Sequence, residues 1–371
     1  MRVKKWIIPA IFSLSVGAFA RAPGTYFQVK TELQKISQRN LIEYLNGFVK
    51  ASAPSRMVGH PGHLAARAFI KETIQKMDKK STGKLTLVGF TPDVEEAKKF
   101  YQKDFNEKVE GKVPKNSPDY QKWAKFTTYM GQLAEKNKAV TGENIVWEKA
   151  GINPDKVLVV TAHYDTISHD PNTLMVREKD AMPGANYNAS GVSVALGLIQ
   201  TLSQIEFNYT VQVVFLDWQG IGFLGSYQYA QELKKLTKNG KTLMGVVNLE
   251  MLGQDTSFLD KTKQTGNMSV YLRANSQEKK WVESLTQHGS KVVEKITFEI
   301  KPNDFPSSDN IRFWEQDILS ATFSQNWEDD FNPKFYQTPQ DTPETLNHET
   351  LYRAYQYLGG AVLGSLLDIS K

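Results

Sequence analysis

The chain has 371 residues, with 45 Lys and Arg against 40 Asp and Glu, six His and no Cys. Without cysteine there are no disulfides, no thiol nucleophile and no Cys-ligated zinc. Both signs of charge are interspersed along the sequence, which argues against a nucleic-acid-binding surface.

In chain order, Arg2, Lys4 and Lys5 precede the apolar run 6–20, which ends in small residues at Ala18 and Ala20. This reads as an export leader cut after Ala20, with an uncleaved anchor helix as the alternative. Its removal leaves 42 basic residues against 40 acidic ones, a net charge of +2. The expected protein is bacterial, periplasmic or extracellular, with no stable membrane span. The remaining 21–371 are read as a single domain with an ordinary core.

Residues 28–50 carry apolar positions at helical spacing, 55–63 (SRMVGHPGH) form a turn-rich loop, and 64–77 return to helix. His60 and His63 flank Pro61 and Gly62 and read as a surface turn. Residues 85–90 alternate as a strand. The charged stretch at about 91–140 holds two helical patterns and is read as a helical insertion, because it has too few large apolar residues for a core of its own.

Beyond it, continuous apolar runs at 156–165, 210–218 and 242–252, with later strands at 268–274 and 320–324, alternate with helices at 190–205, 225–236, 277–295 and 349–368. That pattern predicts an α/β fold with a mixed, mostly parallel central sheet covered by helices on both faces. Sites in such folds form beyond the carboxyl ends of the strands. There the sequence places His163 and Asp165 in HYD, Asn186 and Asn188 in PGANYNASG, Gln219 in FLDWQGIGFLGS, Glu250 in NLEMLG, SSDN at 307–310, and Gln337 in YQTPQDT. Asn188 or Ser190 caps the following helix. His169, Asp170, Glu178 and Asp180 follow His163 in a loop with no visible ligand spacing and read as solvated.

The order of these six motifs resembles the family-28 co-catalytic zinc aminopeptidases, to which bacterial leucyl aminopeptidases, glutaminyl cyclases and the transferrin-receptor ectodomain are similar. The resemblance covers about residues 28–368. It implies that His163 is a zinc ligand oriented by Asp165, and that the bridging Asp falls at Asn186. It also implies that the general-base Glu falls at Gln219, a ligand Glu at Gly220, a ligand Asp at Glu250 and the last ligand His at Gln337. The family's unusual cis peptide would then join residues 186 and 187.

Gln219 has the shape of Glu but cannot take a proton from water. Gly220 has no side chain, Asn186 is neutral, and Gln337 offers an amide oxygen where zinc favours imidazole. Only His163 and Glu250 remain as ordinary ligands, against the three that catalytic zinc needs. The expectation is a non-catalytic relative without a cofactor that takes a peptide or protein in the strand-end cleft. The alternative is an exported zinc aminopeptidase with an atypical site. Tyr187 and Trp218, large aromatics at the sheet end, are expected either to fill the vacated metal space or simply to cover the sheet.

Overall fold

The computed structural model describes residues 22–255, 266–302, 308–328 and 330–369. The expected leader and Ser307 lie outside these. Among the described residues, eight strands form one sheet: β1 (Lys84–Phe90), β2 (Gly142–Lys149), β3 (Asn153–His163), β4 (Tyr209–Leu216), β5 (Thr242–Leu249), β6 (Gly266–Leu272), β7 (Ile296–Pro302) and β8 (Ser320–Gln325). Their spatial order is β1-β2-β4-β3-β5-β8-β6-β7. The central run β4-β3-β5-β8 is parallel, as is β6 with β7, whereas β1, β2 and the β8–β6 join are antiparallel.

Around the sheet the described residues form ten α-helices: α1 (Tyr26–Gln34), α2 (Gln38–Ala51), α3 (Pro61–Met77), α4 (Val94–Lys108), α5 (Pro118–Lys136), α6 (Ser190–Leu202), α7 (Leu224–Lys238), α8 (Ser276–Ser290), α9 (Asn310–Trp314) and α10 (His348–Leu367). The helical pattern over 28–50 proves to be two helices. The first ends at Gln34, and Ser37 starts the second through a reciprocal capping box with Asn40, which satisfies donors that a continuous helix would not expose. Strands β2 and β7 were not among the predicted strands. β2 (GENIVWEK) and β7 (ITFEIKP) mix charged residues with apolar ones, so neither presents the continuous apolar run that marked the central strands.

Successive residues of β3 show how the sheet is buried on both sides. Leu158, Val160 and Ala162 enter the large core under α1, α2, α3, α6, α8 and α10, whereas Val157 and Val159 enter a smaller core with Tyr229 and Leu233 of α7 and Phe313 of α9. The period-two geometry of a strand sends alternate side chains to opposite faces, and burying both gives the uninterrupted apolar run. A third cluster caps the carboxyl ends of the central strands. It joins Phe100, Tyr101, Met130 and Leu133 of α4 and α5 to Tyr187, Trp218 and Trp327. Helices α4 and α5 therefore bury their apolar residues against the strand ends, which is why they need no separate core. Among the described residues, no helix is long and apolar enough to cross a membrane.

Candidate functional site

The turn after β4 is held from three sides. The Asp165 carboxylate accepts the backbone N–H groups of Gln219 (3.0 Å) and Gly220 (2.9 Å). The Tyr101 hydroxyl donates to the Gly220 carbonyl at 3.2 Å and accepts from the Gly222 N–H at 2.9 Å. Asp217 anchors the strand end itself. One oxygen lies 2.6 Å from His63 Nε2 and accepts from the Trp218 N–H, and the other accepts from Arg67 (2.6 Å) and the Glu143 N–H (2.9 Å). Asp217 is fully buried, and His63, Arg67 and the Glu143 N–H hold its carboxyl below the usual range against the opposing effect of burial.

His63 is thus not on a surface turn. It sits in α3, 0 % exposed, stacked 5.7 Å from Tyr164. Its distance of 154 residues from Asp217 hid this partnership from any local reading. The return into α7 also demands glycine, because a Cβ on Gly225 would lie 2.0 Å from the Asp217 carbonyl oxygen.

His163 ends β3 with Nδ1 3.1 Å from the Asp165 carbonyl and Nε2 3.8 Å from a Glu250 carboxylate oxygen. Burial alone would depress the imidazole, but Glu250, Asp165 and Asp309 together keep its pKa raised. Nε2 has no hydrogen-bond partner. Ser308 donates to the other Glu250 oxygen, and Asp309 accepts from Ser226 at 2.6 Å. Burial pushes Asp309 up to about 7, partly opposed by His163, and burial likewise raises Asp165. A cluster of buried acids with one imidazole among them sheds charge by protonation.

The Asp309 shift predicts a pH dependence. Its folded pKa lies above the unfolded value of 3.8, so its contribution to stability is full below that value and is lost as pH rises through about 7. Asp309→Asn, which can still accept from Ser226, is expected to flatten that decline. Thermal unfolding at pH 4.5 and 7.5 checks it: the variant should gain on the parent protein only at the higher pH.

The loop before α6 departs from the expected register. Asn186 is buried, but its side chain turns away from His163; its amide donates to Gln325 and accepts from the Gly253 N–H, both at 2.8 Å. The cis peptide joins Tyr187 and Asn188, not residues 186 and 187. The side chain over the strand ends is that of Tyr187, whose ring centroid lies 4.7 Å from that of His163. Tyr187 donates its hydroxyl to Gln219 Oε1, and the Gln337 amide bonds the same hydroxyl. Burial holds the Tyr187 pKa well above its ordinary value, so it remains a phenol.

The cause of the one-residue difference lies outside the loop. Asp341 accepts from the Asn186 and Tyr187 N–H groups at 2.8 and 2.9 Å, and the buried Arg56 guanidinium grips the carbonyls of Pro183 and Gly184. Gly184 adopts φ +57°, and a Cβ there would meet Thr166 at 2.5 Å. Trp218 is also fully buried and has φ +56°, but it packs below the cavity and is not among the residues that line it.

Of the residues singled out in the sequence, the structure brings His163, Asp165, Gln219, Gly220, Glu250 and Gln337 to the strand ends. The loop acids do not join them. Asp170 and Asp180 pair with Arg177, and Glu178 pairs with Lys136 and Tyr129. Among the described residues, no group of three or more His, Cys, Asp or Glu is arranged to hold a metal ion. His163 and Glu250 supply two donors facing one another beneath a tyrosine ring, so the residues present do not fit a catalytic zinc.

Above Tyr187 lies a cavity of about 560 Å³. One wall comes from the helical insertion, with Phe100, Tyr101, Trp123 and Phe126. The other comes from the loop before α10, where Trp327 stacks 5.2 Å from Phe331 and meets Tyr336 edge-on at 5.0 Å. His169 also lines it, 5.6 Å from Phe126, and burial lowers its pKa. The sequence reading missed this wall. Its signal was the aromatic stripe Trp123, Phe126 and Tyr129, spaced three apart along a helix.

The model of peptidase family M28 matches residues 144–362. Aminopeptidase YwaD of Bacillus subtilis (strain 168) is 29% identical over 229 residues, which cover 60% of this chain and 44% of that protein. The chain therefore spans less than half the length of this curated relative. Among solved structures, the LapA aminopeptidase of Legionella pneumophila superposes with a TM-score of 0.65 at 15% identity, covering 98% of this chain and 80% of the other. The Bacteroides thetaiotaomicron glutaminyl cyclase superposes with a TM-score of 0.60 at 15% identity, covering 91% and 99%. At such identities the structural likeness concerns the fold alone.

Proposed function

The chain belongs to peptidase family M28, and from that premise we propose that it is an exported, non-catalytic member whose strand-end cleft binds a peptide ligand. The observation that carries this reading is Tyr187. Tyr187, whose ring centroid lies 4.7 Å from that of His163, is the side chain of this loop that stands against the retained donor. It is a neutral phenol, hydrogen-bonded to Gln219 and Gln337, and does not draw two cations together as a carboxylate would. His163 and Glu250 face one another at 3.8 Å, and the Asp165 carboxylate lies equally near the other ring nitrogen, so the surviving donors are engaged among themselves.

The acid–base chemistry points the same way. Hydrolysis of an amide by water requires a group that accepts the water proton. Gln219 cannot, and its carbonyl oxygen is already committed to Tyr187. Asp165 is engaged with two backbone donors, and Asp217 is sealed in the ion pairs with His63 and Arg67. What survives is a shaped cavity with aromatic walls, which is a means of binding.

Metal analysis of the purified chain after exposure to zinc and exhaustive dialysis tests the reading. The expected result is no retained zinc and no release of an N-terminal residue from leucine or phenylalanine anilides. Two zinc ions per chain, with turnover abolished by His163→Ala, would overturn it in favour of an atypical aminopeptidase.

A further inference from the structure

We propose that the cavity selects a peptide segment that presents an aromatic side chain and no free ammonium, and that it discriminates against a free N-terminus. This rests on the non-catalytic reading above and adds the class of ligand. The volume of about 560 Å³ lies within the range of small-molecule sites and accommodates a ligand of roughly one or two residues.

The floor carries no charge. Glu250 and His163 are 2 % and 0 % exposed, beneath Tyr187. The groups above them are the Tyr187 phenol and the amides of Gln219 and Gln337, all neutral. Gln219 commits its Oε1 to Tyr187, leaving its NH₂ group to donate to a ligand carbonyl, and Gln337, which also lines the cavity, brings a second amide whose oxygen can accept a ligand N–H. That pair of complementary functions suits an amide and not an ammonium. The charged side chains of the wall, Asp104 and Lys108, lie 2.6 Å apart on α4 and neutralise one another. His169 is held neutral by burial.

Aromatic walls do attract cations, but weakly. Stripping an ammonium of water without a carboxylate to receive it is the larger penalty. The balance therefore favours the neutral ligand. The same walls offer edges and faces on which an aromatic side chain packs favourably.

The test compares N-acetyl-L-phenylalaninamide with L-phenylalaninamide on the full chain, by calorimetry and by tryptophan fluorescence, since Trp123 and Trp327 line the cavity. The acetylated probe is expected to bind at least about tenfold more tightly. Phe126→Ala in the wall should weaken it without lowering the melting temperature by more than a few degrees. Gln219→Glu, which puts a carboxylate on the floor while keeping the bond from Tyr187, should shift the preference toward the free ammonium. Equal affinities, tighter binding of L-phenylalaninamide, or no binding of either probe at millimolar concentration would overturn the inference. Zinc-dependent cleavage of L-phenylalaninamide would instead overturn the non-catalytic reading, whatever the ratio of affinities.

Discussion

The combined variant Tyr187→Asp, Gln219→Glu, Gly220→Glu and Gln337→His retains zinc through dialysis, whereas Gln219→Glu with Gly220→Glu alone does not. The reason is geometric before it is chemical. In the double variant the Tyr187 ring, whose centroid lies 4.7 Å from that of His163, is still in place. The new Glu at 220 starts from a crowded Cβ, 3.0 Å from Ile167 and 3.4 Å from the Asp165 carboxylate, so its charge adds to a cluster of acids whose ionisation burial already opposes.

The combined variant removes that ring from His163 and puts a carboxylate on the loop that faces it. Even a hydrogen-bond partner of a metal ligand changes affinity by roughly 10–100-fold, so restoring three ligands at once should raise zinc affinity by at least about 100-fold. Competition with a chelator measures this, and circular dichroism confirms that the variant is folded. Zinc binding by the double variant would show that Tyr187 does not block the site.

The second large effect is on stability. Asp217→Ala is expected to cost about 3–5 kcal/mol, the usual penalty for breaking a buried ion pair, because it leaves Arg67 and His63 without their carboxylate and strips the Trp218 and Glu143 N–H groups of an acceptor. Asp217→Asn should cost less, since its carbonyl oxygen still accepts two of these bonds. Denaturant midpoints at constant slope report both.

The sign with pH follows from the depressed carboxyl. Asp217 has a folded pKa below its unfolded value of 3.8, so its contribution is complete above that value and is lost as pH falls through the folded pKa. The difference between the parent protein and Asp217→Ala should therefore shrink in strong acid and persist at pH 7. A constant difference across that range would mean that the ion pairs are not its source. Because Asp217 immediately precedes Trp218 and Gln219, its loss should also loosen the turn on which the cavity floor depends, and weaken binding of the acetylated probe.

Period and composition within a single segment were enough for the layered fold. The runs at 156–165, 210–218 and 242–252 named the central strands because a strand buried on both faces is apolar at every position, whichever neighbours it has. The same local reading put His163, Asp165, Gln219, Gly220, Glu250 and Gln337 at strand ends or turns. The chemistry absent from Gln219 and Gly220 follows from side-chain identity alone, since an amide takes no proton and a glycine offers no ligand.

Tertiary structure decided what depends on partners far along the chain. The register at 186–188 is set by Arg56 and Asp341, each more than 100 residues away, so Tyr187 and not Asn186 stands over His163. His63 looked like a turn residue until Asp217 was placed beside it. The segment that carries the aromatic stripe of α5 read only as a charged helical insertion; the stripe becomes a cavity wall because α4 docks on the 220–222 turn through Tyr101. A sequence states which groups a segment can offer, but which of them meet across a cavity is set by packing between segments whose separation carries no local signal.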